Sequence, residues 1–169
     1  MAKTRTKPKV RRAAKSAPKS IRSSSRRKTA ARSSKRAKPR AKAGRKQRFT
    51  VSHHDEQDFK VGLRSYAKYR DLGIRDATGG MVQAHVIRFV PPFRAEEVSK
   101  RHYHDVDFQM VYVLKGWIKS EFEGEGEKVM RAGSCWIQPP RIKHTVLGFS
   151  DDCEVLEIIL PAEFETVEI

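Results

Sequence analysis

Acidic residues are absent from the first 50 residues, which hold 21 of the 36 lysines and arginines of the chain. Large apolar residues are almost absent too, since residues 1–48 include only Val10 and Ile21 after Met1. Such a segment cannot bury enough apolar surface to offset the entropy of ordering, so we predict a disordered basic tail. The rest of the chain carries 15 basic and 20 acidic residues, a net charge of −5, and is a mildly acidic domain.

Cysteine and long apolar runs are also scarce. The two cysteines, Cys135 and Cys153, each lie in an apolar run, which predicts two buried thiols and no disulfide framework. No apolar run approaches the about 18 residues that a membrane span requires, and no apolar signal-peptide core follows the N-terminus. We therefore expect a soluble cytoplasmic protein with no membrane partner.

Short β-branched and apolar runs, separated by glycine or proline, fill the second half of the chain. Many short strands at near-regular spacing are typical of an antiparallel sandwich or barrel, so we predict an all-β fold. A short helix is predicted over residues 64–73, stopped by Gly73. The predicted organisation is a tail (1–48), an N-terminal extension packing on the barrel (49–80) and the barrel (81–169). The predicted strands are 81–90, 108–114, 117–122, 128–130, 134–138, 144–147 and 154–160.

Three histidines and one glutamine are spaced as ligands of one metal ion. His102 and His104 are two positions apart, so on a strand both rings leave the same face. A turn at residues 105–107 lets Gln109 begin the next strand and face the same interior, and the Pro139-Pro140 bend places His144 on a separate strand. Imidazole nitrogens suit Zn, Fe, Mn, Ni or Cu, so we predict a divalent transition metal at His102, His104, Gln109 and His144.

These residues resemble the two motifs of the cupin family, G-x5-H-x-H-x3-4-E-x6-G and G-x5-P-x-G-x2-H-x3-N. The resemblance covers roughly residues 82–160. It implies a cupin-type β-barrel (a double-stranded β-helix, jelly-roll-like) with the metal inside, and commonly a homodimer. The matching positions are His102, His104 and Gly116 in the first motif, and Gly133, Pro139 and His144 in the second.

The chain departs from the cupin pattern at four positions: Glu96 and Arg141 replace glycines, Gly148 replaces asparagine, and Gln109 replaces the ligand glutamate. A neutral glutamine leaves the full charge of the metal uncancelled, which predicts weaker metal retention and a stronger pull on an anionic substrate. Gln109 either coordinates through its carbonyl oxygen or orients water beside the metal. Changing Gln109 to Glu is expected to tighten metal binding.

Two functions from different classes are open. The first is an Fe(II)-type oxygenase, resembling a dioxygenase, that acts on a small, anionic molecule. The second is a non-catalytic or regulatory protein that binds a small ligand. Arg88 is the candidate to hold a substrate carboxylate, against the alternative of a solvated charge at a strand edge.

The tail repeats short basic clusters among alanine, serine and proline, a composition similar to that of histone H1-like tails. Such a segment binds polyanions by counterion release, and without aromatic residues its binding would be independent of sequence. We therefore consider non-specific nucleic-acid binding and association with the nucleoid. A solubilising segment without a partner and a targeting peptide are the alternatives. The candidate nucleic-acid-binding residues are Arg26, Arg27, Lys28, Lys35 and Arg36.

Overall fold

The computed structural model describes residues 46–62 and 64–169. A 3-10 helix, Glu56–Asp58, and two four-residue helices, α1 (Ile74–Ala77) and α2 (Ala95–Val98), accompany the strands. The eleven strands of the described residues are β1 (Lys60–Val61), β2 (Ala67–Asp71), β3 (Gln83–Phe89), β4 (His102–Asp105), β5 (Phe108–Lys115), β6 (Trp117–Phe122), β7 (Gly126–Arg131), β8 (Cys135–Ile137), β9 (His144–Phe149), β10 (Glu154–Leu160) and β11 (Glu165–Glu168).

The strands form two antiparallel sheets. One has the order β1-β2-β3-β10-β5-β8 and the other the order β11-β4-β9-β6-β7. Neighbours in each sheet are mostly distant in sequence, as when β10 inserts between β3 and β5. The predicted all-β, antiparallel cupin-type barrel is confirmed.

The helix predicted over residues 64–73 is wrong. Residues 67–71 form β2, which pairs with β3 so that Ala67 lies opposite Phe89. Gly73, with a φ of +70°, precedes α1 and does not end a helix. This segment has few apolar residues of its own and is stabilised by pairing with β3. Local sequence preferences do not include such a contact, so they do not predict the strand.

The N-terminal extension contributes strands to the larger sheet. Both β1 and β2 belong to the six-stranded sheet, and Lys60 lies opposite Tyr69. Residues 60–61 and 67–71 are therefore part of the sheet itself. Residues 1–45 of the predicted tail, with all five candidate nucleic-acid-binding residues, lie outside the described residues.

The hydrophobic core lies between the two sheets, with Val113, Cys153 and Val155 almost fully buried in it. The prediction of a buried thiol is confirmed for Cys153 but wrong for Cys135, which is exposed on the edge strand β8. On β10 the inward-facing residues are Val155 and then Glu157. The interior of the barrel is apolar at Val155 and polar at Glu157. No helix among the described residues is long and apolar enough to cross a membrane.

Candidate metal centre

His102, His104 and His144 come together from two neighbouring strands. β4 supplies His102 and His104, and β9 begins at His144, which lies directly opposite His102 in the sheet. Each histidine offers one ring nitrogen, and these three atoms lie within 4.8 Å of one another. The ring centroids of His102 and His144 are 4.3 Å apart. This is the spacing of side chains that share one ion.

The loop before β9 fixes the position of His144. The Ile142 amide donates to the Pro139 carbonyl at 3.1 Å, and the Arg141 amide donates to the His104 carbonyl at 3.1 Å. Arg141 has a φ of +64°, in the left-handed region that favours the glycine found here in the second cupin motif. The loop therefore joins the strand of His104 to the start of the strand of His144.

Hydrogen bonds at Nδ1 direct the other ring nitrogens inward. Nδ1 of His102 lies 2.7 Å from the Lys100 carbonyl, and Nδ1 of His144 lies 3.0 Å from the Ile142 carbonyl. A carbonyl only accepts, so Nδ1 carries the proton in both rings and Nε2 is the unprotonated nitrogen that can accept or coordinate. Nδ1 of His104 contacts the Thr166 hydroxyl at 2.9 Å. Partners of this kind orient the histidine ligands of metal sites.

Burial lowers the pKa of each of the three histidines to about 4. Desolvation is the largest cause for all three, and repulsion between neighbouring rings adds to it, as between His102 and His144. Near neutral pH the rings are therefore uncharged, which is the form that binds a metal. The donor set, its protonation and its outer hydrogen bonds fit a divalent transition metal.

Gln109 is fully inside the barrel, with 1% of its surface exposed. Its Nε2 donates to Glu157 Oε1 at 2.6 Å, and its Oε1 accepts from Gln138 Nε2 at 3.1 Å. The same Gln138 nitrogen lies 3.3 Å from Nε2 of His144. The acceptor atoms of Gln109 and His144 thus converge on one amide nitrogen, which places Gln109 beside the histidine group.

Trp136 determines the direction of these hydrogen bonds. Its indole N–H can only donate, and it lies 3.1 Å from the side-chain oxygen of Gln138. The Gln138 nitrogen must then face Gln109, and the nitrogen of Gln109 must in turn face Glu157. A chain of donors therefore runs from Trp136 to Glu157, consistent with a Glu157 carboxylate that only accepts.

Glu157 is a part-buried carboxylate, with 13% of its side chain exposed, that the sequence analysis missed. Burial by itself raises the pKa of Glu157, but the hydrogen bond and positive charge of His85 outweigh it, with His104 and Gln109 adding to the effect, and the pKa is lowered. His85 Nε2 lies 2.6 Å from Glu157 Oε2. The available signal was a single acidic residue at an inward position of the otherwise apolar run from Val155 to Leu160.

A cavity of about 380 Å³ opens onto the histidines. Its walls are largely apolar and aromatic, and include Ile87, Phe89, Trp136 and Phe164. Polar groups also reach it: besides the three histidines these are Arg64, Tyr66, Gln138 and Glu157, among others. A cavity of this size with few convergent polar groups suits a small organic molecule.

Arg88 does not line this cavity, although its neighbours Ile87 and Phe89 do. Its side chain points the other way, with Nε 2.7 Å from a Glu154 oxygen and Nη1 2.6 Å from a Glu56 oxygen. Alternation along β3 is the reason, since successive side chains leave opposite faces. The structure thus brings His102, His104, Gln109 and His144 together but places Arg88 elsewhere.

Residues 93–159 match a family model described as Cupin domain. Over these residues the barrel is similar to cupin domains. The motif positions from His102 to His144, with the turn glycines Gly116 and Gly133, all lie within the matched residues.

Solved structures share this fold. KdgF from Halomonas sp. matches with a TM-score of 0.55 at 20% identity, over 68% of this chain and 96% of that one. The polyketide cyclase RemF from Streptomyces resistomycificus matches with a TM-score of 0.55 at 16% identity, over 70% and 85% of the two chains. The oxalate decarboxylase of Lactobacillus farciminis matches with a TM-score of 0.52 at 15% identity, over 67% of this chain and 34% of that one. No curated protein sequence matches the chain.

Proposed function

We propose that the chain is a metal-binding cupin protein that holds a divalent transition metal, one of Fe, Mn, Ni, Zn or Cu, on His102, His104 and His144. The observation that carries the proposal is the convergence of three neutral imidazoles, of which His102 and His144 are buried and His104 is part-buried, with ring nitrogens within 4.8 Å of one another. Gln109 completes the site, through its carbonyl oxygen or by orienting water beside the metal. The oxygen keeps a lone pair for either role, because Gln138 occupies only one.

For the reaction, we propose an Fe(II)-type oxygenase acting on a small, anionic molecule. When bound, the iron would supply the reactivity toward dioxygen that the side chains lack. The chain supplies an open face of the three-histidine group toward the cavity, and apolar walls that bind the substrate and exclude water. The hydrogen bonds that Gln109 makes with Gln138 and with Glu157 hold these three side chains in one arrangement.

A non-catalytic or regulatory small-ligand binder is the second candidate. The observation that favours it is Gln109, which stands at the position of the ligand glutamate of the cupin motif and whose amide is hydrogen-bonded to two other side chains. In that case the metal would be structural, and the cavity would serve recognition alone.

Metal content tests the site. Protein purified without a histidine tag is expected to carry close to one transition-metal ion per chain by elemental analysis, and the His104→Ala variant much less. His54→Ala is the matched control, since His54 is exposed and pairs with Glu56 on the surface. Equally low metal in the wild type and in His104→Ala would refute the proposed centre.

Oxygen uptake separates the two functions. Fe(II)-loaded protein is mixed with acetate, benzoate or 2-oxobutyrate, and uptake is compared with that of the His144→Ala variant under the same conditions. Substrate-dependent uptake that is lost in the variant supports the oxygenase. No uptake with any carboxylate, together with normal iron content, favours the ligand binder.

We also propose that the chain forms a homodimer through the outer face of β5 and β8. Tyr112, Leu114 and Ile137 are exposed there although they are large and apolar, and β8 is an edge strand. Light scattering should give a mass near twice 19.4 kDa. Leu114→Glu should shift it toward the monomer, whereas Val129→Glu, at an exposed position on β7 of the other sheet, should not. A monomeric wild type would contradict the proposal.

For the tail we propose non-specific nucleic-acid binding through clusters that include Arg26, Arg27, Lys28, Lys35 and Arg36, with a cytoplasmic, nucleoid-associated location. Supporting it is the run of basic residues without acidic ones in residues 1–50. DNA binding of the full chain and of residues 49–169 is compared at about 50 mM and about 200 mM salt. The full chain should bind DNA, and its affinity should fall steeply as the salt concentration rises. Equal binding by both proteins would overturn this assignment.

A further inference from the structure

The segment before β2 carries an arginine into the cavity. Gly62, Arg64 and Tyr66 all line it, and they come from the N-terminal extension, ahead of the residues that match the cupin model. Gly62 lies so close to the Tyr69 ring that an added Cβ would be 2.5 Å from two ring carbons. The segment is thus pressed against the barrel, with the Arg64 side chain part-buried at 23% exposure.

Arg64 has little compensation for its charge. Its Nη1 donates to the Tyr66 hydroxyl, and its one ion pair among the described residues is with Glu168 at 3.9 Å. Glu168 is 62% exposed, so water screens this long contact. Arg88, by contrast, contacts two carboxylates at 2.6 and 2.7 Å. The charge of Arg64 is therefore available to a ligand in the cavity.

Arg64 and the histidine group share one cavity. Arg64, His102, His104 and His144 all line it. The carboxylate that lines the cavity, Glu157, is already held by His85 and Gln109. An anion entering the cavity would thus meet a guanidinium whose one ion pair among the described residues is the long contact with Glu168, in the same cavity as the proposed metal ligands.

We propose that Arg64 and the Tyr66 hydroxyl bind the carboxylate of a small organic acid, whose apolar body packs on the cavity wall and whose other end faces the three histidines. The Tyr66 oxygen accepts from Arg64, so its own hydrogen is free to donate to the same carboxylate. The apolar wall around Phe89 and Trp136 calls for an apolar body on the acid. This inference rests on the proposed function of the cavity as a small-molecule site, and assigns to Arg64 the role predicted for Arg88.

The test uses acetate and benzoate as probes, with benzamide as the uncharged counterpart of benzoate. Binding is measured by calorimetry and by tryptophan fluorescence, since Trp136, one of the two tryptophans, lines the cavity. Both are done on the protein as purified and after metal removal. Wild-type protein should bind benzoate at least about ten-fold more tightly than benzamide, because charged hydrogen bonds exceed neutral ones by that margin. Arg64→Gln should abolish this difference, Arg64→Lys should keep part of it, and Tyr66→Phe should reduce it.

Arg88→Gln is the matched control and should leave benzoate binding unchanged, with circular dichroism showing that every variant is folded. Equal affinity of wild type and Arg64→Gln for benzoate would overturn the inference, as would equal binding of benzoate and benzamide, or no saturable binding of either acid. Metal content is measured on the same samples. Bound metal without Arg64-dependent binding refutes this inference alone, whereas Arg64-dependent binding without metal refutes the metal centre alone.

Discussion

The side-chain amide of Gln109 donates to the carboxylate of Glu157 across 2.6 Å, from one strand of the larger sheet to the next. The cupin motif has a glutamate at the position of Gln109, and here an acidic residue lies beside it on a different strand. Two carboxylates at this distance would repel each other. A neutral side chain at position 109 is therefore needed next to the carboxylate of Glu157. The neutral residue at position 109 thus has a structural partner as well as a place in the proposed metal site.

The first prediction concerns this pair. Gln109→Glu in metal-free protein should lower the free energy of unfolding by about 3 kcal/mol, because it replaces a hydrogen bond to a buried charge with repulsion. Urea denaturation after metal removal measures it. The exchanged double variant Gln109→Glu with Glu157→Gln restores a donor and an acceptor and should recover most of the loss. A double variant no more stable than Gln109→Glu would contradict the pairing.

The expected effect of Gln109→Glu on metal binding follows from the same contact. An added carboxylate should tighten metal binding. In the single variant, repulsion between the new carboxylate and Glu157 offsets part of this gain in affinity. The exchanged double variant avoids that cost, so its metal should resist a competing chelator better than that of the wild type. Unchanged retention in both variants would argue against Gln109 lying next to the metal.

The second prediction concerns Thr166, whose hydroxyl contacts Nδ1 of His104 at 2.9 Å. His102 and His144 use backbone carbonyls for the same purpose, so His104 alone depends on a side chain for its orientation. Thr166→Val keeps the shape and removes the contact, and should weaken metal affinity by about ten-fold or more. Competition with a chromogenic chelator measures it, and Thr166→Ser, which keeps a hydroxyl, should retain wild-type affinity. Equal affinity in the valine variant would show that His104 needs no such support.

The third prediction concerns Gly116, a glycine of the first cupin motif. Its φ is +64°, and an added Cβ would lie 2.0 Å from Ser150 Oγ and 3.2 Å from the Cα of Cys153. Gly116→Ala must therefore displace the Ser150 hydroxyl, which accepts from the Trp117 amide, and crowd the Cys153 backbone. It should cost more than the about 1–2 kcal/mol of a left-handed alanine alone. Gly126→Ala is the control, with a φ of +72° and nothing within 4 Å. Urea denaturation that gave equal losses for both would show that crowding at Gly116 is unimportant.

The fourth prediction concerns pH. The pKa values of His102, His104 and His144 are about 4 in the folded protein, against an ordinary value of 6.5. Between these values the unfolded chain binds more protons, so the stability of metal-free protein should fall as pH drops from 6.5 toward 4. The slope approaches at most about 1.4 kcal/mol per pH unit for each histidine.

Urea denaturation of the metal-free protein at pH 7.5, 6.5 and 5.5 measures this pH dependence. The His104→Asn variant should show a shallower slope, since one of the three titrating rings is gone. Constant stability from pH 7.5 to pH 5.5 would be incompatible with three imidazoles that stay neutral in the folded protein.

Alternation and turn residues were enough to predict most strands and the direction of the histidines. Residues 117–122 and 154–160 are strands with the predicted bounds, and a turn separates β4 from β5 as Asp105 and Asp107 indicated. Those features depend on neighbours in sequence. β2 was missed because its stability comes from pairing with β3, and the exposure of Cys135 follows from the edge position of β8.

The sequence by itself determined the antiparallel barrel, the shared face of His102 and His104 and the unusual glutamine at position 109, because each follows from periodicity or from identity at a motif position. Only the tertiary structure decided which distant groups meet there. The register of β10 against β5 sets Glu157 beside Gln109, and the path of the N-terminal segment admits Arg64 to the cavity while alternation along β3 turns Arg88 away. Long-range pairing creates such contacts, and no local pattern in the chain encodes them.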